Sequence, residues 1–452
     1  KEEITEANFK VEASLESSYF GEKKPVYEMN LKKEGILNWQ IEWEYNLVYP
    51  GYDKKEIFIL ERTLPERGSI YDREGNPLAV KREAITVGLK PSGIEDRKSL
   101  TVEVSQILDL EPDYIRRASK RYDNPDWFVP LRTITRNKYE NIDNLLRPIP
   151  GVFFRKKNAR IYPQGKLMAH ITGYTGEVTR NWMENYPERD YKMGDKIGRA
   201  GIEKAFEFDL RGKPGYKLYI RNKNKEKNTI IMEREATPGD DLYLTINMSY
   251  QKVAQRLLGE KQGSIVVMEP DTREVLAVVN SPSFNPNPFS LGMTDEEWKK
   301  LRNDVSQPMF NRALKGTYPP GSVFKIITAS AALDTGLVKP ETKFEDDGSL
   351  KVKGNVIRNY QQEVFNGHIF SEAVSNSINT TIAKVGLKLG EQKFREYAGR
   401  FGIGKKSSFP ISLNPGKIGS LNSPVKLAWS AIGQGEVLVT PFHFAQVIAT
   451  VA

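Results

Sequence analysis

Two apolar runs, Ser264-Ile-Val-Val-Met268 and Val275-Leu-Ala-Val-Val279, flank the turn Glu269-Pro-Asp-Thr272. Near-continuous apolar strands of this kind need cover on both faces of their sheet. The chain supplies it: a helical pattern spans Ser249 to Leu258, and from residue 322 the pattern is helical over roughly 322–335, 371–389, 392–400, 424–432 and 440–452. A hairpin followed by helices predicts an α+β domain, with an antiparallel sheet packed against helices.

The 452 residues are enough for about three domains of ordinary size. With 39% hydrophobic and 28% charged residues the chain can bury cores, which excludes a disordered tail. Trp39-Gln-Ile-Glu-Trp-Glu-Tyr-Asn-Leu-Val-Tyr49 alternates with a period of two and predicts a half-buried strand ended by Pro50-Gly51. Residues 1–57 therefore read as a small α+β unit. Glu66 to Ala79 reads as strand, turn and strand about Glu74-Gly-Asn-Pro77. A polar helical stretch follows over 95–150, then Arg160-Ile-Tyr-Pro163 and Gly194-Asp-Lys-Ile-Gly-Arg-Ala-Gly-Ile-Glu203. A helix Ile202–Leu210 is stopped by Gly212-Lys-Pro-Gly215, and Lys217–Arg221 and Asp241–Ile246 are short strands.

Several chemistries are excluded or disfavoured by composition. There is no cysteine, so no disulfide, thiol nucleophile or iron–sulfur site is possible. The three histidines, His170, His368 and His443, are far apart and read as structural residues, not as a triad or metal site. The excess of 67 Lys+Arg over 58 Asp+Glu, a formal +9, is spread over the chain and is no nucleic-acid signature. No apolar run reaches the roughly 20 residues of a membrane-spanning helix, and no signal peptide opens the chain, which begins at Lys1.

The candidate for chemistry is Pro319-Pro-Gly-Ser-Val-Phe-Lys325 ahead of the apolar helix Ile326–Leu333. A serine hydroxyl becomes a nucleophile when a base takes its proton. A lysine one helical turn away, desolvated so that its pKa falls, can be that base. The N–H groups of the first helical turn can hold a developing oxyanion. The spacing alone does not decide: Ser249/Lys252 and Ser423/Lys426 repeat it, and Ser322 could equally be an ordinary helix N-cap. Downstream, Ser375-Asn-Ser-Ile-Asn379 lies in an otherwise apolar helical pattern from Ala373 to Leu389. Ser377 and Asn379 would set a hydroxyl beside an amide, one able to relay protons and the other to hold a substrate amide. Ser-x-Asn recurs at Ser283, Ser412 and Ser420, and a capping cluster is the alternative.

The ordered pair Ser322-x-x-Lys325 and Ser377-x-Asn379 resembles the first two active-site motifs of penicillin-binding proteins and serine β-lactamases. Glu66-Arg-Gly-Ser-Ile-Tyr-Asp-Arg73, Arg160–Pro163 and Gly198-Arg-Ala-Gly-Ile-Glu203 through Gly215 resemble the pedestal motifs of the class B proteins. Gly263 to Ala277 is similar to the strand pair that opens their transpeptidase domain, and Gly433-Gln-Gly435 with Val439-Thr-Pro441 to the loop and helix start beside the cleft. Leu37 to Tyr49 leading into Arg67-Gly68, and Gly292-Met-Thr-Asp-Glu-Glu-Trp298, look most like the low-affinity, methicillin-resistance-type branch, which carries a nuclear-transport-factor-like N-terminal domain.

The resemblance implies a partial nuclear-transport-factor-like domain over 1–57, a pedestal (dimerisation-type) domain over 58–235 and a transpeptidase domain over 236–452. It implies Ser322 as acylated nucleophile, Lys325 as general base, Ser377 and Asn379 as second motif, the Ser322 N–H as half of an oxyanion hole, and Gln434 and Gly435 lining the cleft. The reaction implied is D,D-transpeptidation of peptidoglycan stem peptides on lipid-linked precursor strands, with β-lactams acylating the same serine. No cofactor, metal or nucleic acid is expected. The expected setting is the extracytoplasmic face of a bacterial membrane, with an N-terminal anchor outside this sequence and a glycosyltransferase, divisome or elongasome partner. One departure stands out: no Lys-Ser-Gly or Lys-Thr-Gly, the family's third motif, occurs in the sequence. The expectation is that the last strands, carrying that motif, lie beyond Ala452 and that 452 residues are a piece of the protein. The alternatives are a catalytically impaired scaffold and, against the long pedestal-like lead-in, a β-lactam sensor or β-lactamase.

Overall fold

The computed structural model describes residues 6–34, 38–120, 124–222 and 228–452, and the backbone divides into two compact units, residues 1–68 with 208–242 and residues 69–207 with 243–452. In the first unit, strands Glu6–Glu12, Val26–Glu34 and Asn38–Ile41 form one antiparallel sheet, and Glu56–Thr63, Gly215–Asn222 and Asn228–Arg234 form another. Its described residues 6–57 hold strands and one 3-10 turn, Tyr45–Leu47, in place of the expected α+β mixture. The long strand expected over Trp39–Tyr49 is four residues, Asn38–Ile41, all exposed. Alternation orients side chains but does not bury them without a packed partner face: Trp43 is 68% exposed. Leu37, where that stretch begins, lies outside the described residues.

In the second unit, the thirteen-residue strand Pro77–Leu89 pairs with Ile70–Tyr71, Val152–Ile161 and Val129–Thr135. Val129–Thr135 interrupts what the sequence predicts as one helical stretch. Pro130 hides it, because proline is tolerated in strands only where pairing is irregular, and here the register slips at Val87/Gly88 opposite Pro130. The helices Arg97–Leu108, Pro112–Ala118 and Arg136–Leu146 cover this sheet through Leu100, Val104, Leu108, Ile115 and Leu146. The two pedestal-like motifs meet: Arg160 Nε donates to the fully buried Glu203 carboxylate at 2.7 Å, and the Tyr162 hydroxyl donates to the same oxygen at 3.1 Å. A buried carboxylate needs such donors to stay ionised, which accounts for an Arg, a Tyr and a Glu in separated stretches.

The hairpin Gly263–Met268/Val275–Ser281 forms as read from sequence, with helices Met248–Leu258 and Pro441–Val451 packed against it. Gln251 of the first of these helices is fully buried and clamps the hairpin, accepting from Val278 N–H and donating to Val278 C=O. The helices Lys325–Asp334, Asn379–Arg400 and Pro424–Ala431 enclose an apolar core built on Phe324, Ile327, Phe394, Ile403, Leu427 and Val437. The fold is thus α+β in the sense expected.

Candidate active site

Ser322 lies in a 3-10 turn, Gly321–Phe324, that runs directly into the helix Lys325–Asp334. In such a turn side chains three residues apart eclipse, so Ser322 and Lys325 share a face. Phe324, fully buried against Phe394, anchors the turn, while Ser322 stays exposed. Ser322 caps no helix, unlike Ser423, whose hydroxyl accepts from Lys426 N–H at the start of Pro424–Ala431. Among the described residues nothing accepts the Ser322 N–H; it belongs to the first turn, whose donors have no intrahelical partner.

Behind the turn a second backbone feature enters. The apolar pattern from Ala373 to Leu389 predicts one helix, but the structure breaks it into Phe370–Ser375 and Asn379–Arg400. Ile378 N–H bonds Ala373 C=O at 2.8 Å and Ser377 N–H bonds Val374 C=O at 3.1 Å. These two bonds make a Schellman motif, and its left-handed position, usually glycine, is Ser377 at φ +55°. Ile378 plugs the core at 1% exposure, which is why the apolar pattern runs unbroken across a turn.

The break aims the second motif at Lys325. Its ammonium donates to Ser377 C=O at 2.5 Å, to Ser377 Oγ at 2.9 Å and to Asn379 Oδ1 at 2.5 Å. Three N–H donors thus meet three oxygens. Lys325 is only 3% exposed, and burial pushes its pKa down to about 8. No hydrogen bond among the described residues joins Ser322 to Lys325; bonds of this kind commonly tighten only when substrate binds.

Gln434 and Gly435 lie in the turn that backs Gly321. Gly321 N–H donates to Gly433 C=O at 2.8 Å, and Gln434 Nε2 lies 3.6 Å from where a Cβ on Gly321 would stand. Gly433 has φ +73°, and a Cβ there would meet Gly321 O at 2.0 Å. Gly433→Ala is therefore expected to cost about 2 kcal/mol or more and to displace the Ser322 turn, read as a lowered melting temperature together with slower acylation. The histidines stand apart: His170 packs edge-on to Phe284 with its pKa pushed down to about 4 by burial, His368 bonds Asn366 C=O and Thr381, and His443 bonds Thr440. A cavity of about 910 Å³ opens near Tyr114, Arg132 and Thr294, and none of its lining residues belongs to the Ser322 site. The sequence offered no sign of Arg358, whose carbonyl accepts from Asn379 Nδ2 at 2.9 Å, or of the buried Asp346, Asn359 and Thr380 behind it.

This serine–lysine pair with a Ser-x-Asn partner, on helices packed against one another, holds the groups that serine acyl transfer requires. Residues 62–244 match the Penicillin-binding Protein dimerisation domain and residues 263–452 the Penicillin binding protein transpeptidase domain. With both domains in this order, the chain belongs to the class B penicillin-binding proteins. It is 30% identical over 417 residues to Penicillin-binding protein 3 of Bacillus subtilis, covering 90% of this chain and 61% of that protein. To the peptidoglycan D,D-transpeptidase MrdA of Acinetobacter baumannii it is 29% identical over 430 residues, covering 91% and 63%. The chain therefore spans less than two thirds of the length of these relatives. Among solved structures, Pseudomonas aeruginosa PBP2 in complex with WCK 5153 aligns with a TM-score of 0.63 at 25% identity, covering 86% of this chain and 70% of that one. The Helicobacter pylori PBP2 in complex with MreC shares the fold with a TM-score of 0.68 at 23% identity, covering 86% and 76%.

Proposed function

We propose that this protein is a peptidoglycan D,D-transpeptidase. Ser322 Oγ attacks the D-Ala-D-Ala amide carbonyl of a stem peptide, its proton passes to neutral Lys325, and the oxyanion meets the Ser322 N–H. Ser377 Oγ, bonded to Lys325, returns the proton to the departing D-Ala amine, and an amine of a second stem then resolves the ester. The observation that carries the reading is the buried Lys325 ammonium ringed by Ser377 and Asn379 one turn from Ser322. β-Lactams would acylate Ser322 as substrate mimics.

The names of the relatives support this reading, and the MreC-bound Helicobacter pylori protein supports a partner in the cell-elongation machinery. From that partner class and the stem-peptide substrate we infer a location on the extracytoplasmic face of a bacterial membrane. The finer reading, a methicillin-resistance-type branch with a nuclear-transport-factor-like N-terminal domain, rests on Leu37 to Tyr49 leading into Arg67-Gly68 and on Gly292 to Trp298. The MrdA-type reading rests on the names of several relatives.

The test is D-Ala release from a synthetic stem pentapeptide with an acceptor amine, for the protein and for Ser322→Ala. Ser322-dependent release into a cross-linked product supports transpeptidation. Absence of any Ser322-dependent label with penicillin favours the scaffold, and fast hydrolysis of the adduct favours a β-lactamase. A base with a pKa of about 8 also predicts a pH profile. Only the neutral amine accepts a proton, so acylation should rise about tenfold per pH unit below 8 and level off above it. A flat profile from pH 6 to 9, measured by stopped flow, would remove Lys325 as the base.

A further inference from the structure

Asn379 points its amide oxygen, not its amide nitrogen, at the Lys325 ammonium, and something must fix that choice, since the two ends of an amide are nearly isosteric. Its Nδ2 is bonded to the carbonyl of Arg358 at 2.9 Å. The residue after Arg358 is Asn359, and the residue after Asn379 is Thr380. Both are held by one carboxylate: Asn359 Nδ2 donates to Asp346 Oδ2 at 2.7 Å and Thr380 Oγ1 to Asp346 Oδ1 at 2.6 Å. Thr380 N–H also donates to Asn359 Oδ1 at 3.1 Å, and Phe365 N–H to Asp346 Oδ2 at 3.1 Å. The group is out of solvent, with Asp346 4%, Asn359 5% and Thr380 0% exposed.

We propose, resting on the acyl-transfer reading above, that Asp346 is a positioning residue of the second motif: through Asn359 and Thr380 it fixes the Asn379 amide with Oδ1 toward Lys325. Asp346 touches neither Lys325 nor Ser322. It tethers the backbone on both sides of the Asn379 amide, so that Arg358 C=O stands where only an N–H can meet it. Burial opposes ionisation of Asp346, but the bonds from Thr380, Phe365, Gly348 and Asn359 outweigh it and hold the carboxyl below its usual value. A permanently charged tether resists rearrangement more than a neutral one, because leaving it unsatisfied in the interior is costly. Other charged groups on the elements packed around Lys325 are engaged elsewhere: Glu372 caps Ile369 N–H, Lys384 reaches Glu345 C=O, and Asp334 pairs with Arg400.

The test compares the protein with Asp346→Asn and with Thr380→Val, the milder change should Asp346→Asn fold poorly. Acylation by penicillin, per folded molecule, is followed by stopped flow from pH 6 to 10, with the melting temperature measured alongside. The expected result is acylation slowed about tenfold or more. The ascending limb should also move about one pH unit toward acid, because an ammonium that loses an acceptor is held less firmly in its charged form. NMR titration of isotope-labelled Lys325 Cε should show the same downward shift and needs no acylation. If the unmodified protein is not acylated, the acyl-transfer reading fails while the NMR comparison still decides this one. A lowered melting temperature with the rate, the limb and the Lys325 titration all unchanged would mean that Asp346 holds the fold only, and would overturn the proposal.

Discussion

Replacing Lys325 by methionine is expected to slow acylation of Ser322 about 10³-fold while the protein stays folded. The loss has the size of a removed general base: among the described residues Lys325 is the only titratable side chain hydrogen-bonded to Ser377 or Asn379. Folding should survive because methionine suits an environment that is 3% exposed and already disfavours charge. The three oxygens left behind belong to Ser377, which is exposed, and to Asn379, which is half-buried, so water can satisfy them. The stability change should therefore stay within about 1 kcal/mol. Denaturant melts and acylation kinetics on the same preparation check both halves. An intact acylation rate would remove the lysine from the mechanism, and an unfolded protein would make it structural.

The second large effect separates strain from chemistry at Ser377. This residue holds a left-handed conformation at φ +55° in a position that glycine normally fills, and its carbonyl and hydroxyl both face Lys325. Ser377→Gly and Ser377→Ala both remove the hydroxyl, and both should lower acylation about 10²-fold. They should differ in stability: the glycine variant is relieved of the left-handed penalty and should exceed the alanine variant by about 1 kcal/mol. Strain kept at a serine where glycine would be more stable is what a functional hydroxyl predicts. Equal stabilities would contradict the backbone account, and unchanged acylation would contradict the role of the hydroxyl.

Much of this was legible in the sequence because it is local. Serine and lysine three residues apart at a helix start share a face whatever the rest of the chain does. The apolar runs on either side of Glu269–Thr272 pair as a hairpin because little else could bury them. What was not legible depends on contacts across the chain. Trp39 to Tyr49 alternates like a strand, yet only Asn38–Ile41 finds a neighbour, Val26–Glu34. Val129–Thr135 is a strand that Pro130 disguises. The turn at Ser377 was masked because Ile378 keeps the apolar count going while the backbone reverses. Asp346, Asn359 and Thr380 lie far apart in sequence, and nothing in their spacing announces that one carboxylate joins them.

The central claim is that Ser322 is the nucleophile, and intact-mass spectrometry of the protein after brief exposure to penicillin tests it most directly. The account predicts a single adduct of the mass of the whole antibiotic, mapped by peptide digestion to Ser322, absent from Ser322→Ala and formed slowly in Lys325→Met. An adduct on any other residue, or one that persists undiminished in Ser322→Ala, would contradict it.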